Sequence, residues 1–192
     1  ELGPNSYPFV LYPGTFGQVN DCRYIADLAY TTYKKGQKIN FILIGDGIEK
    51  EKIYKYSNDI GIYKKNFFLV DEMKKNEIIK AYISASAIIS TVADIPELAK
   101  NSANKVFDAM AAGKPIIINH EGWLAQIIRD EKIGLVLDRN IETSSDKIIE
   151  LFSNQRRLSA FAQNSRNLGL SRFNVDKQVN KIENIINSAS NL

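Results

Sequence analysis

A chain of 192 residues, 44% hydrophobic and 24% charged, is long enough for one well-packed domain and has the make-up of a soluble globular protein, which excludes a disordered chain. Its net charge of +3 is slight and its basic residues are scattered, so no nucleic-acid-binding surface is expected. Cys22 stands alone, which excludes an internal disulfide and a cysteine metal cluster, and it is expected on the buried face of the first helix. No apolar run approaches the roughly 20 residues that span a bilayer, and no signal peptide is read at the start, so a soluble, cytoplasmic protein is expected. Residues 1–8 lack periodicity and contain a glycine and two prolines, as a linker or cloning remnant does. From Phe9 onward, short apolar runs alternate with helical patterns. Strands are expected at Phe9–Tyr12, Ile39–Ile44, Phe67–Val70, Ala87–Ser90, Ile116–Ile118 and Gly134–Leu137. The helices between and after them are expected near Asp21–Lys35, Glu49–Asp59, Lys74–Ser84, Ala103–Ala112, Leu124–Asp130 and Ser144–Ser153, with two more within Gln155–Leu168 and Val175–Ala189.

Several of the strand runs lack polar alternation, as strands covered on both faces do, and most connections can hold a crossover helix. The fold class is therefore α/β, a doubly wound, Rossmann-like parallel sheet of six strands. In such sheets a ligand sits beyond the carboxyl ends of the strands, so the functional residues are expected in Gly14–Gly17, Gly45–Gly47, Asp71–Met73, Thr91–Asn104 and Asn119–Trp123. One stretch there carries most of the chemistry. Asn101 and Ser102 are suitable N-caps for a helix starting near Ala103, on which Val106, Phe107, Met110 and Ala111 mark a buried face, Gly113 the stop and Pro115 the next strand. Free N–H groups at that helix start, with Lys105 in the first turn, favour a phosphate. Asp108, one turn deeper, can accept hydrogen bonds from a sugar hydroxyl.

The run Lys105-Val-Phe-Asp-Ala-Met-Ala-Ala-Gly-Lys-Pro-Ile-Ile117 resembles the signature of family 4 glycosyltransferases of GT-B fold, an acid followed by Ala-Met-Ala-Ala-Gly-x-Pro. Tyr12-Pro-Gly-Thr-Phe-Gly17 resembles that family's first strand and glycine loop, and Phe41-Ile-Leu-Ile-Gly-Asp-Gly47 its second strand and turn. The resemblance runs from about Phe9 to Ile186 and covers only the second, donor-binding half of such an enzyme. It implies a nucleotide-sugar-binding domain over residues 9–173, a C-terminal helix over 174–192, and an acceptor-binding domain as partner. The implied reaction moves a sugar, from a UDP-linked donor before any other, onto a glycan or lipid-linked acceptor in cell-surface polysaccharide synthesis. Retention of configuration and no metal or other cofactor are implied with it, and a full enzyme that can rest at the inner face of the plasma membrane. The Asn-Ser-x-Asn-Lys lead-in at Asn101–Lys105 is closest to capsule and O-antigen enzymes.

Carried over residue by residue, the resemblance places Gly14, Thr15, Phe16, Gly17, Ala103, Asn104, Lys105 and Asp108 at the donor nucleotide, with Lys105 as the catalytic cation and Asp108 on the ribose. Asp94, Asn101, Ser102 and His120 are candidates for contact with donor sugar or acceptor. The chain departs from the family pattern at three places: Thr15 stands for an arginine, Asn20-Asp21 for a Lys-Gly pair, and Lys100 for the first acid of a paired motif. Lys105 is read as restoring part of the lost charge. His120, the single histidine, suits proton transfer near neutrality, but contact with donor or acceptor is the stronger reading. Trp123 is expected to cap its loop against the core, and Val175, Val179, Ile182, Ile185 and Ile186 form a stripe that needs a partner surface, in this domain or the next. Two other functions stay open at this point, a sugar-nucleotide 2-epimerase of the same overall fold and a non-catalytic nucleotide-binding or protein-interaction module.

Overall fold

The computed structural model describes residues 7–189, so most of the expected linker at 1–8 and the end of the chain lie outside the described residues. Six parallel strands form one sheet, β1 (Phe9–Pro13), β2 (Asn40–Ile44), β3 (Phe67–Val70), β4 (Ala87–Ser90), β5 (Ile116–Ile118) and β6 (Gly134–Val136), in the order β3-β2-β1-β4-β5-β6. The helices are α1 (Cys22–Lys34), α2 (Lys50–Asp59), α3 (Lys75–Ser84), α4 (Asn104–Ala112), α5 (Trp123–Asp130), α6 (Ile141–Ser153), α7 (Gln155–Arg172) and α8 (Val175–Ala189). Two short 3-10 turns, Gln18–Asn20 and Pro96–Lys100, were not readable as elements from the sequence.

Strand alternation sorts the core into two layers. Val10 and Tyr12 of β1 join Phe41, Leu43, Phe67, Ile89, Ile117 and Leu135 against α1, α2 and α6. Leu11 turns to the other face, where Ile42, Ile44, Ile88, Ile116 and Ile118 pack on α3, α4 and α5. Side chains of successive strand residues point to opposite faces, so a strand that is apolar at every position is explained only by cover on both faces. At about 1.5–3 kcal/mol per fully buried large aliphatic side chain, these two layers are the main stabilising term. Helix α7 serves both, through Phe161 in the first layer and Leu168 in the second.

The strand order reverses between β1, which pairs with β2 on one side, and β4, which pairs with β1 on the other. The connections leaving β1 and β4 run to helices on opposite faces of the sheet, and the rim at their carboxyl ends, where Ala93 N–H donates to Val19 C=O at 2.9 Å, is the crevice at which open parallel sheets take a ligand. Helix α4, which follows β4, ends at Gly113 in the left-handed region, φ 63°, as the sequence implied.

Candidate functional site

The Gly14–Gly17 loop extends the ladder between β1 and β2 rather than standing free. Gly14 N–H donates to Ile44 C=O at 2.9 Å, Phe16 N–H to Asp46 C=O at 2.8 Å, and Glu49 N–H to Phe16 C=O at 2.9 Å. A Cβ built on Gly45, φ +150°, would lie 2.1 Å from Gly14 O, so the turn after β2 needs glycine for the β1 loop to lie against it. Two expectations change. The backbone N–H groups of Gly14 and Phe16 are already spent, and Phe16 is fully buried with its ring 6.2 Å from that of Tyr12, so its side chain fills the core and does not line the crevice. Thr15 is exposed at the loop tip, and its carbonyl accepts from the Tyr12 hydroxyl and from Asn20 Nδ2, each at 2.8 Å. Gly17 is half-buried beside it, its C=O accepting from Asn20 N–H at 3.0 Å.

Lys105 reaches that loop from α4. Its ammonium lies 4.2 Å from the centre of the Tyr12 ring, and a Cβ at Gly14, φ +155°, would meet its Nζ at 2.9 Å. The ammonium thus occupies the space that glycine leaves. Burial pulls Lys105 down from the ordinary lysine range to about 8, and the neighbouring Cys22, itself pushed up to about 12 by burial, offers no negative charge below that. Among the described residues no carboxylate pairs with Lys105, whereas Lys50 meets Asp71 at 2.6 Å and Lys35 meets Asp146 at 2.7 Å. The N-terminus of α4 is open as well. Ala103, not Asn101 or Ser102, is the N-cap, at φ −70° and ψ 128°, and no side chain caps the first turn. Asn101 is half-buried and Ser102 and Asn104 are exposed alongside it. Val106 N–H already donates to Ala103 C=O at 3.0 Å, and an uncapped helix start keeps its remaining orphan N–H groups for an anion.

One turn further, Asp108 is exposed and opens on a groove of about 400 Å³ between α3 and α4, with Ile78, Ile79, Tyr82 and Ala111 along it. Its Oδ2 accepts from the Tyr82 hydroxyl at 3.4 Å. Lys105 and Asp108 therefore stand one turn apart on one helix, Lys105 against the β1 loop and Asp108 on the groove between α3 and α4.

Asp94 and His120 belong to a separate hollow of about 340 Å³ at the ends of β4, β5 and β6. His120 is 8% exposed, and its Nδ1 lies 2.8 Å from Glu121 C=O, which only accepts, so the ring donates there. Asn119 holds this loop to the one after β4, accepting from Val92 N–H at 2.8 Å and donating to Val92 C=O at 3.0 Å. Sequence reasoning missed Arg139, which reaches Asp21 at 3.0 Å and Asp94 at 3.5 Å across the same hollow. Asp21 stands near the place of the family's Lys-Gly pair and has the left-handed backbone, φ 45°, that a glycine takes without strain. Trp123 stacks on Phe107, centroids 6.4 Å apart, which ties its loop to α4.

Residues 2–168 match the family model described as Glycosyl transferases group 1. The chain belongs to that family. Within it, the chain is 23% identical over 146 residues to the Escherichia coli UDP-Gal:alpha-D-GlcNAc-diphosphoundecaprenol alpha-1,3-galactosyltransferase, covering 76% of this chain and 36% of that enzyme. The fold matches a mutant of S. aureus TarM solved with Fondaparinux, alpha-GlcNAc-glycerol and UDP, at a TM-score of 0.79 and 20% identity over 95% of this chain and 36% of TarM. It also matches the C-terminal domain of the group 1 protein LpcC from Francisella tularensis, at a TM-score of 0.73 and 19% identity over 90% of this chain and 88% of that one. This group 1 glycosyltransferase chain thus spans about a third of the length of that curated relative, and its six-stranded parallel sheet has the Rossmann-like fold of GT-B glycosyltransferases. Among its described residues no helix is long and apolar enough to cross a membrane.

Proposed function

We propose that this chain is the donor-binding domain of a glycosyltransferase that moves a sugar from a UDP-linked donor to a lipid-linked or glycan acceptor. The observation that carries the reading is Lys105, a cation held without a carboxylate partner at the open N-terminus of α4, one turn from Asp108. A nucleoside diphosphate has the complementary chemistry. Its phosphates meet the ammonium and the orphan N–H groups, and its ribose hydroxyls donate to Asp108. As the bond to the donor sugar breaks, negative charge grows on the leaving diphosphate, and a cation fixed in advance stabilises that charge more than it stabilises the ground state. No metal is needed for this, and configuration is retained. The domain proper is residues 9–173 with the C-terminal segment 174–192, of which Val175–Ala189 is helix α8, and its partner is an acceptor-binding domain.

The finer placing is family 4, with capsule or O-antigen assembly at the cytoplasmic face of the plasma membrane. It is supported by the Asn101–Lys105 lead-in and by the likeness to an enzyme that acts on a diphosphoundecaprenol-linked sugar. Calorimetric titration with UDP, GDP and ADP tests the reading: UDP binding that is tighter than the others supports it, and no binding to any of the three refutes it.

A further inference from the structure

Tyr12 is buried in β1 and points toward the helix layer that contains α1, a position that the hydrophobic core explains by itself. Two of its contacts go beyond packing. Its ring lies 4.2 Å below the Lys105 ammonium, and its hydroxyl donates to Thr15 C=O at 2.8 Å, which fixes the tip of the Gly14–Gly17 loop. We infer that Tyr12 is a positioning residue, which holds Lys105 against the glycine loop by its ring face and so builds the anion subsite. The inference rests on the donor-site reading above and deepens it.

The chemistry of the cradle explains why a ring stands there. A carboxylate beside Lys105 would hold the ammonium in place but cancel its charge, and an incoming diphosphate would have to displace it. An aromatic face attracts the cation through its quadrupole and leaves the net charge intact. The groups packed around the ammonium agree with this. Tyr12 from β1 is driven far above the usual tyrosine range by burial, and Cys22 from α1 is kept as a thiol, so neither is anionic near neutrality. Asp21 and Glu49 lie further out, their charges felt at Cys22. Asp21 is engaged by Arg139 at 3.0 Å and Glu49 by Lys52 at 2.8 Å. Gly14 completes the cradle, since any side chain there would push the ammonium off the ring.

The test is a double-mutant cycle read by titration with UDP and with uridine, which lacks the anion. Tyr12→Phe keeps the ring and loses only the bond to Thr15 C=O, so it is expected to weaken UDP much less than Tyr12→Leu, which weakens it roughly tenfold and leaves uridine unchanged. In a Lys105→Ala background, Tyr12→Leu should cost nothing further for UDP. A loss of UDP binding on Tyr12→Leu that persists in that background, or an equal loss for uridine, overturns the inference in favour of a merely structural role. Should Tyr12→Leu not fold, the wild-type protein decides: NMR of the Lys105 ε-methylene is expected to show an upfield ring-current shift that Lys114 lacks, and its absence overturns the stack. A wild-type chain that binds no UDP refutes the donor-site reading, whereas the position of Lys105 over Tyr12 is still decided by that shift.

Discussion

On the proposed function Lys105 and Asp108 make separable contributions, because one would meet the anion and the other the sugar of the donor. Replacing Lys105 with Ala should weaken UDP about 10- to 100-fold, the range for one charge-assisted hydrogen bond, and leave uridine untouched. Asp108→Ala should weaken UDP and uridine alike by a similar factor, since both carry the ribose. The pH dependence follows from burial. Lys105 is held at about 8 in the folded chain against 10.5 for a free lysine. Between those values the unfolded chain binds the extra proton, so this residue's contribution to stability becomes more favourable as pH rises from about 8 to 10.5. Urea unfolding of the wild type against Lys105→Met across that window should show the wild type gaining stability relative to the variant as pH rises. UDP affinity should move the other way, falling as pH rises through about 8 in the wild type and staying level in Lys105→Arg, whose guanidinium does not titrate there. At this scale the sequence was informative where a family pattern was broken. The missing cations at Thr15 and Asn20 pointed to Lys105. Tyr12 carried no such mark, because an apolar strand residue looks the same whether or not a cation lies on its ring. Arg139 was hidden for a similar reason, since its partners Asp21 and Asp94 are distant in sequence.

Among the elements, the strands and most helices were legible to within a residue because their periodicities are strong, whereas α6 begins three residues before its expected start and α7 runs four past its expected end, and the two 3-10 turns were not legible, because three to five residues show no period. The cap of α4 was misread. Asn101 and Ser102 have capping side chains, but the backbone path through Pro96–Lys100 brings Ala103 to the cap position, and no residue-type rule contains that path. The β1 and β2 loops illustrate the same limit: their glycines were visible, the 2.1 Å approach that requires Gly45 was not. Gly45→Ala should therefore destabilise the domain by about 2 kcal/mol or more and also weaken UDP, because the clash displaces the loop that forms Lys105's cradle. Thermal unfolding and titration on the same variant check both effects.

Across the whole molecule, the doubly wound architecture followed from apolar runs covered on both faces, whereas no residue pattern gave the strand order, which the structure supplies. The stripe on α8 was left between two readings, and the structure resolves it: Val175, Ile182, Ile185 and Ile186 are each more than half exposed, at 72%, 57%, 67% and 57%. An apolar face of that extent wants cover. The separated chain is expected to self-associate through it at high concentration, and Ile182→Glu with Ile185→Glu should abolish that association in analytical ultracentrifugation without changing UDP affinity. On the function proposed above the acceptor is held by a second domain, so the chain by itself is expected to bind UDP without transferring a sugar, and turnover by the chain alone in a transfer assay would contradict that. The most direct measurement is a crystal structure of the chain soaked with UDP. The account predicts the diphosphate within hydrogen-bonding distance of Lys105 Nζ and the first turn of α4, with the ribose hydroxyls on Asp108. A diphosphate bound elsewhere on the rim, with Lys105 still resting on Tyr12 and untouched, would contradict it.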